Sequence, residues 1–136
     1  PRVDVVLRDW LNATLKEAPK KLKELRDECT ADLERLGSAP AGSLRGDDYF
    51  KALKLGCEAA GSPKVVSIAL DTIRILLSSG YLTGKGPDPF KEASQVPSRF
   101  LIDSVVDSVV GCAEQADDGV QLRQLTALAA AVTTQR

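Results

Sequence analysis

PKVVSIALDTIRILLSSGYLTG, residues 63–84, is the stretch that decides the fold of this chain. Its aliphatic residues recur at the three- and four-residue spacing of a helix and cover more than one stripe of it: Val65, Val66, Ile68, Ala69, Leu70, Ile73, Leu76 and Leu77. An apolar surface this wide must be covered by other helices. Ser62 and Pro63 form a start signal, and Gly80 forms a stop signal. We therefore predict that this helix, the fourth of the chain, is the most buried element.

SRFLIDSVVDSVVGCAEQADDGVQLRQLTALAAAVTTQR, residues 98–136, predicts a fifth and a sixth helix. Ser98 is the expected N-cap of the fifth helix, and Asp117 or Asp118 is that of the sixth. We expect the apolar residues of the sixth helix to face inward and its polar residues outward, that is, Leu122, Leu125, Leu128, Ala129 and Val132 inward and Gln121, Arg123 and Gln124 outward. Such a succession is typical of helices that pack on one another in layers.

The N-terminal part of the chain predicts three amphipathic helices. The first begins with Asp4 as its N-cap. The second covers 20–36, with Gly37 as its C-terminal stop. The third covers 49–60 and carries its apolar residues on one face. All three helices therefore have a stripe that can join a shared core.

Two stretches between the helices have the composition of turns and loops. The segment 38–46 is rich in glycine, serine and alanine, and 83–97 holds three prolines and two glycines. We expect Phe90 to pin the middle of the longer loop. Asp47 or Asp48 is expected to cap the third helix, because a carboxylate is favourable at a helix N-terminus.

The order of these elements predicts the fold class. Short links between the third and fourth helices, and between the fifth and sixth, make two antiparallel hairpins, and stacked hairpins build armadillo and HEAT-type solenoids. We therefore predict an all-α, armadillo/HEAT-like α-solenoid of about six antiparallel helices, with residues 1–136 as a single domain. Because the sequence has no methionine and begins with Pro1, we expect it to be a fragment of a much larger protein.

Charge and hydropathy exclude several classes of function. The chain has 18 basic and 19 acidic residues, a formal net charge of -1 and an isoelectric point near 5.5, and the charges are mixed along its length. This balance lacks the basic footprint of a nucleic-acid-binding protein. No apolar run approaches the ~20 residues that span a bilayer, and charges interrupt the N-terminus where a signal peptide is apolar. We expect a soluble, cytosolic chain.

The sequence offers little for catalysis or for metal binding. Without histidine it has neither the usual general base nor an imidazole ligand. Cys29, Cys57 and Cys112 lie far apart with no CxxC spacing, so we expect buried, reduced thiols. The GKG run at 84–86 lacks the spacer and the Lys-Ser/Thr pair of a phosphate-binding loop and predicts a turn. We expect no catalytic residues, no metal and no cofactor, and hence no enzyme.

Exposed aromatic and basic residues are the remaining candidates for a binding site. Tyr49 and Tyr81 lie at helix ends, where a tyrosine either anchors a partner or packs its ring while its hydroxyl stays wet. The lysine-rich run 16–26 could touch anionic lipid, but acidic residues interleave with it, which favours a solvated helix face. For the tyrosines, the residues alone leave both interpretations open.

Four short runs carry a resemblance to a known family. Ala69-Leu70-Asp71, the SGYLTG run at 79–84, Leu101-Ile102-Asp103 and the DDGVQL run at 117–122 occur in the order and spacing of that family. The chain closely resembles the N-terminal dimerisation and cyclophilin-binding (DCB) domain of the large Arf guanine-nucleotide exchange factors of the BIG type. It departs from the family at Ile75, where a lysine is familiar, and at two positions of the SGYLTG run.

The resemblance implies a non-catalytic regulatory and targeting domain of an exchange factor, cytoplasmic and peripheral on the trans-Golgi network. It implies as partners an activated Arf-like small GTPase and either a second copy or the downstream homology-upstream domain, with the membrane reached only through the GTPase. We place the GTPase-binding face on the third and fourth helices, with these candidates: Tyr49, Lys51, Lys54, Arg74, Ile75, Tyr81 and Leu82. For Ile75 and Leu82, plain core packing is an equally good interpretation.

Two other functions fit the same pattern. A Mon-two-type trafficking scaffold without exchange activity has a similar first domain, and only the sequence downstream would distinguish it. A pure oligomerisation module would associate with itself and bind no GTPase. A self-standing enzyme is the weakest alternative because the chain has no histidine.

Overall fold

The computed structural model describes residues 2–39, 44–59, 61–86, 89–90, 100–111 and 118–134. These residues form six α-helices, one 3-10 helix and no β-strand. The 3-10 helix covers Gly46–Tyr49. The α-helices are α1 (Val3–Glu17), α2 (Lys23–Ser38), α3 (Phe50–Cys57), α4 (Pro63–Ser78), α5 (Leu101–Gly111) and α6 (Asp118–Thr134).

Helix α4 is the centre of the domain. It packs against α1, α3 and α6. Helices that are neighbours in sequence also pack together in two further pairs, α1 with α2 and α5 with α6. Half of the α4 side chains are buried, including Val66, Leu70 and Ile73. Gly56 lets α3 approach closely, because a Cβ there would lie 3.0 Å from the Cβ of Ala69. The predicted all-α helical fold is confirmed, and among the described residues the fourth helix contributes the largest number of buried side chains.

The C-terminal end of α4 is closed by a Schellman motif. Gly80 has a φ of +77°, a left-handed conformation that favours glycine. Its N–H donates to the carbonyl of Leu77 at 3.2 Å, and the N–H of Tyr81 donates to the carbonyl of Leu76 at 2.9 Å. The predicted stop is therefore confirmed, and these bonds fix the direction in which the chain leaves the helix.

The predicted side-chain caps at the starts of α1 and α4 are wrong. The N-cap of α1 is Arg2, and Asp4 lies in the first turn, where its charge still complements the helix dipole. Ser62 is the N-cap of α4, but its side chain makes no capping hydrogen bond. For α5 the predicted cap Ser98 lies outside the described residues. Within the described residues, the carboxylate of Asp103 accepts a hydrogen bond from the N–H of Phe100 at 2.8 Å.

Helix α2 begins three residues after its predicted start and ends two residues after its predicted end. It begins at Lys23 and runs through Gly37 to Ser38, so the glycine does not stop it. Near its start, the Arg26 guanidinium donates to the carbonyls of Leu15 and Ala18, each at 2.7 Å. Those carbonyls lie at the end of α1 and lack helical donors. Arg26 thereby ties the first two helices together.

The cysteines that the structure describes are core residues. Cys29 is fully buried and Cys57 is nearly so. Burial raises the pKa of the Cys29 thiol to about 12, so this group stays neutral at physiological pH. Both residues fill space in the core, as predicted. Cys112 lies outside the described residues.

The inward face of α6 is not the one that the sequence predicted. Gln124 was expected to point outward but is buried, and its Nε2 donates to the carbonyls of Val109 at 2.9 Å and Val110 at 3.1 Å. Leu125 and Val132 were expected to face inward but are 65% and 62% exposed. The carbonyls at the end of α5 need donors, and the glutamine supplies them.

Small residues complete the inward face of α6. Ala127 and Ala131 are buried, and the contact between α4 and α6 is the most extensive helix pairing of the domain. Because apolar residues surround this helix nearly on all sides, their spacing does not distinguish one face from another. Close approach of the backbones therefore selects alanine, and not leucine, for the interface.

Candidate protein-binding surfaces

A segment after α4, residues 81–86 and here called the bridge segment, links three parts of the domain. Asp47 holds it: its Oδ1 accepts from the N–H of Thr83 at 3.0 Å, and its Oδ2 accepts from the Thr83 hydroxyl at 3.2 Å and from the N–H of Gly84 at 2.8 Å. The Asp47 side chain is only 5% exposed. Its predicted role as a cap of α3 is wrong; it instead caps backbone groups that lie 36 and 37 residues away.

The backbone of the bridge segment makes further hydrogen bonds. The N–H of Gly46 donates to the carbonyl of Tyr81 at 2.7 Å. The carbonyls of Gly84 and Gly86 accept from the N–H groups of Ile102 at 3.0 Å and Leu101 at 2.8 Å. The GKG run is thus a backbone connector between the 3-10 helix and the start of α5, which places α3, α4 and α5 relative to one another.

Two of the predicted binding residues lie in the core. Tyr49 is 4% exposed and Leu82 is 0% exposed, so neither presents a surface to a partner. The guanidinium carbon of Arg35 lies 4.3 Å from the centroid of the Tyr49 ring, and burial raises the pKa of the tyrosine hydroxyl. For Leu82 the core-packing interpretation is correct, and for both residues the predicted place on an exposed face is wrong.

The two candidate lysines lie on α3 and keep part of their surface exposed. Lys51 Nζ lies 3.8 Å from a carboxylate oxygen of Glu28 on α2. Lys54 Nζ lies 3.0 Å from Glu58 Oε1 and 5.6 Å from the centroid of the Phe90 ring. Phe90 in turn packs edge-on against Phe50, with 6.1 Å between ring centroids, which confirms that it pins its loop. The lysines are accessible, but each already contacts an acidic side chain.

The remaining candidates line three different grooves. Arg74 lies in a groove of about 590 Å³ between α4 and α6. Ile75 lies in a groove of about 380 Å³ between α1 and α4. Tyr81 lies in a groove of about 440 Å³ with residues of α1 and of the end of α2. The structure therefore does not gather the predicted residues on one face.

The groove around Ile75, here called the α1–α4 groove, has the most apolar lining of these three. Its walls are mainly aliphatic and aromatic, with carboxylates at its edge, and comprise Val5, Val6, Asp9, Trp10, Ala13, Ile68, Asp71, Thr72 and Ile75. Asp71 pairs with Arg123 of α6 at 2.9 Å. Trp10 Nε1 is buried and has no hydrogen-bond partner among the described residues. A firm apolar groove of this kind suits the side chains of a protein partner.

The α1 wall of this groove was missed from the sequence. Val5 lies outside the buried stripe of α1 and is 42% exposed, so an apolar residue on a polar face was the available signal. The sequence does not show which helix α1 packs against, and the groove exists only because α1 contacts α4. The structure thus extends the candidate surface from the fourth helix to the first.

A buried carboxylate on α2 was not predicted from the sequence. Asp32 is 2% exposed, and its Oδ1 accepts from Arg35 Nη2 at 3.1 Å. Its Oδ2 has no hydrogen-bond partner among the described residues. Burial raises the pKa of this carboxyl, although the neighbouring Arg35 opposes the shift. Helix α2 therefore carries, at its interface with the 3-10 helix, a buried carboxylate whose ionised form is disfavoured.

We predict that Asp32→Asn changes the pH dependence of stability. The pKa of Asp32 is raised in the folded state, so the folded protein binds the carboxyl proton more strongly than the unfolded chain does. Wild-type stability is therefore lost as the pH rises from the pKa of the unfolded state through that of the folded state. Relative to wild type, the free energy of unfolding of Asp32→Asn should therefore be about 1 kcal/mol more favourable at neutral pH than at acid pH. Urea denaturation at several pH values measures this difference; Glu34→Gln, at an exposed position of the same helix, is the control. A constant difference between Asp32→Asn and wild type would contradict the prediction.

The described part of the chain offers no support for a metal site or a membrane span. It holds no group of three histidine, cysteine or acidic side chains arranged to bind a metal ion. Of the helices placed in it, none has the length and hydropathy to cross a bilayer.

Comparison with known proteins gives a family match over nearly the whole chain. The sequence profile of the Mon2/Sec7/BIG1-like dimerisation and cyclophilin-binding (DCB) domain matches residues 3–136. Brefeldin A-inhibited guanine nucleotide-exchange protein 1 of Mus musculus and of Homo sapiens are each 34% identical over 128 residues, which is 84% of this chain and 7% of the relative.

A plant protein is similar as well. Brefeldin A-inhibited guanine nucleotide-exchange protein 3 of Arabidopsis thaliana is 26% identical over 158 residues, which is 98% of this chain and 9% of the relative. The chain therefore spans less than a tenth of the length of these relatives.

Proposed function

The chain belongs to the family of Mon2/Sec7/BIG1-like dimerisation and cyclophilin-binding domains, and on that basis we propose that it is a regulatory and targeting domain of a large Arf guanine-nucleotide exchange factor. The observation that carries this proposal is the family match over residues 3–136. The similar animal and plant proteins are named as guanine nucleotide-exchange proteins, which favours an exchange factor over a Mon-two-type scaffold as the parent. The proposed role of the chain itself is non-catalytic.

We propose that the domain binds an activated Arf-like small GTPase through the α1–α4 groove. The switch surface of such a GTPase presents exposed aromatic side chains, and these need a firm apolar face. The groove supplies Ile75 and Ile68 on α4 and Val5 on α1. Arg74 stands beside Ile75 in sequence and is partly exposed. Since α4 is the central helix, this face is held rigidly and little ordering entropy is lost on binding.

Such binding would place the domain in the cytoplasm, peripheral on the trans-Golgi network, with membrane contact made by the GTPase. The family description also names dimerisation, which supports self-association as a second role. Contact with a neighbouring homology-upstream domain is the interdomain form of the same role. The domain would then couple recruitment to assembly of the parent protein.

Calorimetry tests the recruitment role. The chain is titrated with a trans-Golgi Arf-like GTPase loaded with a non-hydrolysable GTP analogue and, separately, with GDP. We expect binding to the GTP-analogue form only, and we expect Ile75→Asp to weaken it at least ~10-fold because a carboxylate replaces an apolar contact.

The matched control is Val110→Asp, which places the same charge at a 51% exposed valine on α5, outside the groove. It should bind like wild type. Binding of neither form, or equal binding of both, would overturn the recruitment proposal. If Ile75→Asp and Val110→Asp weakened GTPase binding equally, the α1–α4 groove would not be the binding site.

A further inference from the structure

Exposed lysines gather at the corner where α1 ends and α2 begins. Lys16 lies in the last turn of α1, and Lys23 is the first residue of α2. Lys20 and Lys21 lie in the turn that joins the two helices. All four side chains are exposed, and none has an ion-pair partner among the described residues. We call these four residues the lysine corner.

The backbone of the lysine corner is held firmly. The N–H of Leu22 donates to the carbonyl of Pro19 at 3.0 Å, which closes the turn with two of the lysines at its tip. The Arg26 guanidinium donates to two carbonyls at the end of α1 and so ties that end to α2. The lysines are therefore presented together by a fixed turn, and only their side chains need to adjust to a charged surface.

The acidic residues near the lysine corner do not neutralise it. Glu17 is the partner of Lys64 on α4, with 3.2 Å between Oε1 and Nζ. Glu58 lines a groove with two of the corner lysines, but it pairs with Lys54 at 3.0 Å. Residues 16–26 hold five basic and two acidic side chains, whereas the whole chain has a net charge of -1. The acidic residues that favoured a solvated helix face from the sequence thus leave this corner positive.

We infer that the lysine corner binds the anionic headgroups of a membrane surface. This contact goes beyond the proposed function, in which the GTPase alone reaches the membrane. A lysine held close to a leaflet rich in acidic lipid strengthens binding about fivefold. Four such lysines give a partition constant of about 10³ M⁻¹, which is too weak for stable attachment by itself. The corner therefore orients a domain that a second contact, such as a membrane-bound GTPase, holds in place.

The chemistry of the corner favours a lipid surface over other anionic partners. An ammonium group is a point charge on a flexible stem, which suits many mobile headgroups, whereas bidentate recognition of a single phosphate uses arginine. The arginine of this segment, Arg26, is already bonded to backbone carbonyls. A nucleic acid would need a basic surface that continues beyond the corner, and the net charge of the chain is -1. An acidic protein segment is the remaining alternative, and vesicle binding distinguishes it from lipid.

Co-sedimentation of the whole 136-residue chain with vesicles tests the inference. Vesicles of phosphatidylcholine alone are compared with vesicles that contain about 30 mol% phosphatidylserine, at lipid concentrations up to ~5 mM. We expect binding to the phosphatidylserine vesicles only. Raising NaCl from about 50 to about 300 mM should weaken it at least ~10-fold, because salt screens exposed charges. Lys20→Gln with Lys21→Gln should also weaken it at least ~10-fold, because two lysines are lost from the surface contact.

The matched control is Arg2→Gln with Lys85→Gln, which removes two exposed positive charges far from the corner. Arg2 lies at the start of α1, about 20 Å from Lys16 along the helix axis. Lys85 follows the C-terminal end of α4, whereas Lys64 beside the corner lies at its N-terminal end. The control variant should bind like wild type. Circular dichroism confirms that both double variants are folded.

The outcomes separate this inference from the proposed function, because the vesicle assay contains no GTPase. Wild type that does not bind phosphatidylserine vesicles at low salt, or that binds both kinds of vesicle equally, would overturn the inference and leave recruitment by the GTPase standing. Equal weakening by the corner variant and the control would mean that net charge, and not the lysine corner, governs binding. Binding of a poly-glutamate peptide in fluorescence anisotropy, without vesicle binding, would overturn the inference and assign the corner to an acidic protein.

Discussion

Gly84→Ala is expected to lower the free energy of unfolding by about 3 kcal/mol. Gly84 has a φ of +67°, where an added side chain costs about 1 to 2 kcal/mol. A Cβ there would lie 2.5 Å from the Cβ of Ile102 and 2.6 Å from its N and Cα. Two of those atoms are backbone, and the N–H of Ile102 donates to the Gly84 carbonyl, so the neighbour cannot withdraw without losing a hydrogen bond.

Gly86→Ala is the matched control in the same segment. No atom lies within 4 Å of the position that its Cβ would occupy, and its φ is not positive. Its effect should stay within about 0.5 kcal/mol. Urea denaturation followed by circular dichroism measures both variants. Equal stabilities would mean that the close approach of the bridge segment to α5 does not contribute to the folded state.

Asp47→Ala is expected to lower the free energy of unfolding by about 3 kcal/mol as well. The change removes the acceptor for the backbone N–H groups of Thr83 and Gly84 and for the Thr83 hydroxyl. The carboxylate is 5% exposed, so water does not readily replace it. Each buried donor left without an acceptor costs about 1 to 3 kcal/mol.

Asp48→Ala is the control for this change, because the neighbouring carboxylate is exposed and accepts no hydrogen bond from the bridge segment among the described residues. It should change stability by less than about 0.5 kcal/mol. Asp47→Asn keeps one acceptor oxygen and should fall between wild type and Asp47→Ala. Since Asp47 and Gly84 hold the same segment, the double variant Asp47→Ala with Gly84→Ala should lose less than the sum of the single losses. Additive losses would mean that the two contacts act independently.

The sequence was most informative where the pattern of apolar residues had only one solution. The stretch 63–84 predicted a broad apolar helix, and α4 is the central helix of the domain. Pro63 begins that helix and Gly80 closes it. The resemblance to the DCB family rested on short runs in this stretch and in 98–136, and the family match confirms it. The helix and its ends depend on residues that are close together in the chain, and the family motifs depend on the order of residues. Both kinds of feature can be recognised in a single sequence.

Polar residues whose partners lie far along the chain were not predicted correctly from the sequence. Asp47 was interpreted as a local cap, but its partners lie in the bridge segment. Asp32 was not singled out from the sequence, but it is buried beside Arg35. No spacing rule links such residues to their partners, because the separation along the chain is set by the packing of helices. Burial then decides whether a carboxylate is an anchor or a surface charge.

By itself, then, the sequence determined the fold class, the approximate position of the helices, the broad apolar surface of α4 and the family. These follow from hydrophobic periodicity and from turn residues, whose effects act within a few residues of one another. The tertiary structure decided which side of α6 faces solvent, which candidate residues remain exposed, and that α1 completes a groove with α4. Those outcomes depend on which helices pack closely together, because a close contact requires small residues and hydrogen-bond donors. Such packing is a property of a pair of helices, and the sequence of one helix does not specify it.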